Sequence, residues 1–235
     1  MDTATVAAAA STAAAQSNPY GLEHLWVHGN MIDRAVLIIL GIMSLGSWFI
    51  ILMKLWDQRI LKAAARKAEK QFWTAPSLKD GVAKMKKTDD FRFIAESGMR
   101  AASHHEGRLT DRVDLHEWVT MALQRAIDAV NNRISNGLSF LATVGSVAPF
   151  VGLFGTVIGI LNALVAISVA GQASLTQVAG PVGEALIMTA LGLFAAVPAV
   201  IGYNWLLRRN KVIQEDIRNF ASDLHAYLVS GSRVG

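Results

Sequence analysis

Between Ile134 and Leu207, a window of 74 residues, the chain carries one charged side chain, Glu184. A charged residue at the centre of a membrane helix costs roughly 2.5–3.5 kcal/mol on insertion scales, so an isolated acid in such a stretch points to a functional role. The segment around it, Gly180 to Gly202, is long enough to cross a bilayer. Advancing about 100° per residue from Glu184 places Ala185, Thr189, Gly192, Ala195, Ala196, Ala199 and Gly202 within about 140° of arc. Leu186, Ile187, Leu193, Phe194, Val197 and Ile201 fall outside that arc, on the other side. The bulky side suits lipid or a core, whereas the small side admits a close helix neighbour or lines a cavity. A blander reading has Glu184 at the headgroup boundary, capping the helix after Pro181. The threonine and small residues that continue along its face favour the functional reading.

The composition fits a membrane protein with a polar portion. Of 235 residues, 52% are hydrophobic and 17% charged, and mean hydropathy is +0.35. With no cysteine, disulfides, thiol catalysis and cysteine metal sites are excluded.

Residues 1–30 are Ala-, Ser- and Thr-rich and have no basic n-region, so they read as an extracytoplasmic tail, not a signal peptide. Leu22 to Asn30, with Trp26, has the character of an interfacial helix. His24 and His28 stand at i,i+4, but no third ligand accompanies them, and surface histidines are the simpler reading. The first span occupies 31–53, with Ala35 to Met53 free of charge and bounded by Asp33-Arg34 and Lys54. Gly41, Ser44 and Ser47 give it one small face.

Composition changes abruptly over 54–133, which holds 16 of the 22 Lys and Arg and 11 of the 18 Asp and Glu. Helix formers continue the first span to Trp73, and Pro76 ends the run. Phe91 to Glu106 is amphipathic. From about Thr110 apolar residues recur at helical spacing and run into the next span without a proline. Because acids are interspersed with bases, a solvated helical domain is favoured over nucleic-acid binding. His104, His105 and His116 lack partners at ligand spacing.

The second span lies within 134–170. Gly145, Ala148, Gly152, Gly155, Thr156, Gly159, Ala163 and Ala166 fall within about 100° of one another, a second small face with one hydroxyl. Residues 171–176 form a short polar turn, the third span covers 177–207, and 208–235 form an amphipathic tail helix beginning at Arg208-Arg209-Asn210-Lys211. Lys and Arg number one up to Arg34, at the outer edge of the first span, sixteen in 54–133, none in the turn and five after the third span. The positive-inside rule therefore places the N-terminus outside, with the polar domain and the C-terminus in the cytoplasm. The expectation is an all-α membrane protein with three transmembrane helices and long cytoplasmic helical extensions.

Val147-Ala-Pro-Phe150 followed by Gly152-Leu-Phe-Gly-Thr-Val-Ile-Gly-Ile160, together with Gly183-Glu-Ala-Leu-Ile-Met-Thr-Ala-Leu-Gly-Leu-Phe-Ala-Ala-Val-Pro-Ala-Val200, resembles the signature of the MotA/TolQ/ExbB proton-channel family. The flagellar branch has a fourth span, which this chain lacks; the Ala-rich tail and Gly137 to Gly145 look more like the ExbB branch than the TolQ branch. Ile158 stands where many members carry tryptophan, and Gly180-Pro-Val-Gly183 where Pro-Gly-Ile-Ala is commoner.

The resemblance implies an inner-membrane scaffold, not an enzyme and without a cofactor, acting with an ExbD-like single-span protein and a TonB-like protein. It implies a ring-shaped homopentamer whose second and third spans surround the partner's helices. Such a complex uses proton-motive force to drive import through outer-membrane receptors; the TolQ alternative would serve outer-membrane maintenance with TolR and TolA. The family's polar pore positions carry over to Thr156, Glu184 and Thr189, with Gly145, Gly152, Gly155, Gly159, Gly192 and Ala195 as packing positions. As the chain offers no second intramembrane acid, the partner would supply the matching carboxylate. A solute transporter would show internal repeats and more spans, and an intramembrane hydrolase would need a second catalytic group. Each proton crossing yields about 2.3 kcal/mol per 100 mV.

The charge asymmetry generates a direct test. In intact spheroplasts a cysteine placed at Ser103 of this cysteine-free chain is expected to resist an impermeant thiol reagent and to react after lysis; labelling before lysis would reverse the orientation.

Overall fold

The computed structural model describes residues 25–27, 29–104, 114–170 and 175–231, and these are helical apart from short turns. Helix α1 spans Met31–Lys67 and is extended by a π-helical turn, Ala68–Phe72. Then come α2 (Leu78–Ala83), α3 (Asp90–Ser103), α4 (Leu115–Ser135), α5 (Leu138–Ala170) and α6 (Leu175–Ser230). Three of these segments are long and apolar enough to cross a membrane.

The boundaries depart from the sequence expectation in three places. The helix expected to run unbroken into the second span stops at Ser135, and Gly137, at φ +85, separates α4 from α5. That left-handed backbone is costly for any residue with a Cβ, which is why glycine ends the run where no proline does. Arg208 to Lys211 end the apolar stretch but not the helix, so the third span and the tail are one helix of 56 residues. Of the turn expected at 171–176, residues 171–174 lie outside the described chain, and α6 begins at Leu175. Most of the N-terminal tail, with His24 and His28, also lies outside it; within the interfacial stretch Leu25 to Val27 form a helical turn.

The chain forms two compact units. One comprises residues 1–49 and 140–201. Its helices meet through glycines. A Cβ added at Gly152 would lie 2.7 Å from the Met188 carbonyl oxygen and 3.1 Å from Gly192 Cα, and one at Gly192 would lie 2.7 Å from the Ala148 carbonyl oxygen. These are backbone contacts, so neither helix can yield by turning a side chain. Gly145 receives Val200, Gly159 receives Ala185, and Gly155 receives Met188 together with Val36 of α1. On α1, Gly46 accommodates the Phe140 ring, whereas Gly41 faces open space. The large residues Phe150, Leu153, Val157, Leu161, Leu186 and Phe194 are turned outward and exposed.

The second unit comprises residues 50–139 and 202–235. Its core joins the end of α1 to α3, α4 and α6 through Phe91, Ile94, Val119, Leu123, Ile217 and Leu224. Phe220 sits edge-on between Phe72 and Phe91, with ring centroids 5.2 and 5.3 Å away, a geometry that aromatic quadrupoles favour. Asp89 caps α3 by accepting the Phe91 N–H at 3.0 Å, and Asp90 forms an ion pair with Arg133 at 2.7 Å. Burial pushes both carboxyls above the ordinary range; the Phe91 amide and then Lys67 and Lys86 oppose this at Asp89, and Arg133 opposes it at Asp90. Because each acid holds its proton more tightly when folded, its contribution to stability falls as pH rises from the unfolded value through the folded one.

Beneath this core runs a polar seam. Gln58 Nε2 donates to Asn210 Oδ1 at 2.6 Å and lies 3.2 Å from the Leu206 carbonyl; Asn210 Nδ2 donates to the Ile134 carbonyl at 3.3 Å. Lys54, only 6% exposed, donates to the Arg133 carbonyl at 3.1 Å.

Gly152→Ala is expected to destabilise the detergent-solubilised protein by about 1–3 kcal/mol, the usual cost of forcing extra volume into a packed contact, whereas Gly41→Ala is expected to be neutral or stabilising. Thermal unfolding of the two variants checks this, and equal melting temperatures would refute the backbone-contact argument.

Candidate functional site

The close approach of α5 and α6 brings two of the three expected polar residues together. Thr156 is buried, and its Oγ1 lies 3.1 Å from both the Gly152 carbonyl of its own helix and the Ala185 carbonyl of α6. Its hydroxyl is also hydrogen-bonded to that of Thr189. A hydroxyl has one proton to give, so Thr156 donates to one carbonyl at a time, and Thr189 can donate to it. With a side chain at position 152 or 192, the threonines could not come within reach.

Glu184 lies five residues before Thr189, about 7.5 Å nearer the start of α6 at 1.5 Å per residue. It is half-buried and lines a separate cavity of about 160 Å³ with Gly155, Gly159 and Asn162 of α5, Asn30 and Asp33 at the start of α1, and Pro181. Since α6 starts at Leu175, Glu184 is in the third turn of the helix, and the reading of it as a residue capping the helix after Pro181 is set aside.

The structure also gives Glu184 a neighbouring acid. Asp33 appears in the sequence as the flank of the first span, yet it is 7% exposed and shares the Glu184 cavity. Its Oδ2 accepts the Asn30 N–H at 2.9 Å, the reach-back half of a capping box. No sequence signal pointed to Asn162. The packing positions Gly145, Gly152, Gly155, Gly159 and Gly192 make their contacts inside one chain, and Ala195 is buried there too.

Elsewhere, His116 meets a residue the sequence did not single out: its ring lies 4.5 Å from that of His225, whose Nε2 is 3.1 Å from Thr120 Oγ1. His104 is hydrogen-bonded within its own helix end, and His105 lies outside the described residues. Among the described residues no three His, Asp or Glu side chains are grouped to hold a metal ion.

Comparison with known proteins places the chain in a family. Residues 86–219 match the model of the MotA/TolQ/ExbB proton channel family. The biopolymer transport protein ExbB of Xanthomonas campestris pv. campestris is 39% identical over 97% of this chain and 96% of its own length. The ExbB protein of Neisseria meningitidis is 33% identical over 89% of this chain and 97% of its own. The Tol-Pal system protein TolQ of Haemophilus influenzae is 36% identical over 87% and 92%. Three membrane-length helices, a close α5–α6 contact holding two threonines and an acid five residues earlier on α6 thus accompany similarity along nearly the whole sequence: the chain belongs to the MotA/TolQ/ExbB proton channel family.

Proposed function

We propose that this chain is the inner-membrane stator subunit of an ExbB-type energy-transducing complex, which uses proton-motive force to drive import of siderophores, vitamin B12 and similar cargo through outer-membrane receptors. The observation that carries the reading is a bonded Thr156–Thr189 pair, with Glu184 five residues before Thr189 on α6, on two apolar helices of a proton-channel family member. Similarity to ExbB proteins at up to 39% identity over nearly the whole chain favours this branch. The TolQ reading, in which the chain acts with TolR- and TolA-like partners in envelope maintenance, is supported by the TolQ relative at 36% identity.

In the proposed assembly the N-terminus is periplasmic, the C-terminus cytoplasmic, and the chains form a pentameric ring. The small faces are already used within each chain, so the outward residues such as Phe150, Leu153 and Val157 meet lipid or the next copy. An ExbD-like single-span helix occupies the centre, and a TonB-like protein carries the motion outward. Glu184 takes up and releases a proton as the partner helix passes, while Thr156 and Thr189 hold water or bond the partner.

Glu184→Gln keeps shape and hydrogen bonding but cannot titrate. It is expected to abolish siderophore-dependent growth of cells lacking their own ExbB, while the complex with the ExbD-like partner still purifies intact; near-normal growth at normal expression would sink the protonic role. Rescue of cells lacking TolQ, without rescue of siderophore use, would select the TolQ branch instead. Thr156→Val removes the hydroxyl that satisfies Thr189 and is expected to cost about 1–3 kcal/mol of stability, whereas Thr156→Ser should restore it. Melting temperatures of the three proteins in detergent test this, and a Val variant as stable as the wild type would count against the bonded pair.

A further inference from the structure

We infer that Asp33 is the outer carboxylate of the proton path, receiving a proton from the extracytoplasmic side and passing it through the shared cavity to Glu184. The inference rests on the protonic reading of Glu184 and adds a residue and a direction to it.

Asp33 stands third in α1, and an acid at that place ordinarily caps the helix from the water-exposed surface. Here it is more than nine-tenths buried. Oδ2 takes the Asn30 N–H, and Oδ1 has no hydrogen-bond partner among the described residues. The side chain lines a cavity whose other polar walls are Asn30, Asn162 and Glu184. At ~30 Å³ per molecule that cavity has room for about five waters, and its carboxylates and amides supply the two to four partners each water needs. Capping alone requires neither the burial nor the shared space.

Among the described residues the charged groups at this end are Asp33 and Arg34 on α1 and Glu184 on α6; α5 carries none along its length. Arg34 is exposed and its guanidinium donates to the Val27 carbonyl at 2.9 Å. Among the described residues Asp33 and Glu184 are the charged side chains in the wall of this cavity. The transfer balances without a further reactant. The Asp33 carboxyl gives its proton to cavity water, that water gives one to the Glu184 carboxylate, and the Asp33 carboxylate is reprotonated from outside. Thr189, five residues further along α6, and the Thr156 of α5 bonded to it stand beyond Glu184 from this entrance.

Asp33→Asn keeps an oxygen to accept the Asn30 N–H but cannot carry a proton. In the full complex it is expected to lower energised siderophore uptake at least about tenfold at neutral external pH, within the usual range for loss of one proton-transfer group. Acidifying the medium should restore part of that rate, because direct delivery to Glu184 then rises with proton concentration; Asp33→Glu should stay close to wild type throughout. Asn162→Leu leaves the cap intact and dries the cavity, so it should show the same loss and the same recovery at low pH, which keeps the test available if Asp33→Asn fails to assemble. Wild-type uptake by assembled Asp33→Asn, or by Asn162→Leu, would overturn the relay. So would a loss that external pH does not change. Glu184→Gln, run alongside, separates the two ideas: if it is inactive while Asp33→Asn is normal, only the relay fails, and if it is active the protonic reading fails with it.

Discussion

Everything at the site depends on how closely the backbones of α5 and α6 approach at Gly152 and Gly192. In lipid the surroundings are as apolar as the side chains, so helices gain little from merely hiding hydrocarbon from water, and dispersion contacts and interhelical hydrogen bonds must hold them. Small residues allow both. At Gly152 and Gly192 a Cβ would collide with backbone, and one turn further Thr156 reaches the Ala185 carbonyl and the Thr189 hydroxyl. A wider crossing would break the bonds from Thr156 to the Ala185 carbonyl and the Thr189 hydroxyl, where water is scarce. The glycines and threonines are therefore one device, each useful only because the other is present.

Much of this was legible in the sequence, and the part that was not has a clear cause. Helical periodicity sorts the residues of one helix by face, so the small faces of the second and third spans, with Thr156, Thr189 and Glu184 on them, could be read from spacing. Periodicity carries no information about which residue of another helix comes to rest against a face. Asp33 lay in a charged pair at the edge of a span, where flanking charges are ordinary, and only the packing of α1 against Gly155 and Met188 brings it to the Glu184 cavity. The break at Gly137 was missed for a local reason. Apolar spacing continues across it, and a glycine in a helical pattern is often tolerated; its left-handed φ shows only in three dimensions.

The charge-rich segment was read as solvated helices, and its surface answers to that. Its interior does not. Lys54, Gln58 and Asn210 are all buried, and Asp89 and Asp90 are buried enough to hold their protons above the ordinary carboxylate range. Three of them reach a partner distant in sequence: Lys54 the Arg133 carbonyl, Gln58 Nε2 the Asn210 side chain, and Asp90 Arg133, whereas Asp89 accepts from the nearby Phe91 N–H. Composition reports that such charges exist, but only topology decides which of them leave the water.

The amide seam has a consequence for how the helices find their places. Apolar helix faces are forgiving, since Leu, Ile and Val pack nearly as well against one neighbour as against another. Gln58 on α1 and Asn210 on α6, with the Ile134 carbonyl of α4, fit in one arrangement. A slip of one residue along α6 would swing Asn210 by about 100° and carry it 1.5 Å along the axis, stranding buried amides at a cost of about 1–3 kcal/mol for each group left unpaired. A buried polar contact of this kind discriminates between registers more than it adds to stability. For a 56-residue helix with few landmarks of its own, the seam acts as the key that admits a single alignment.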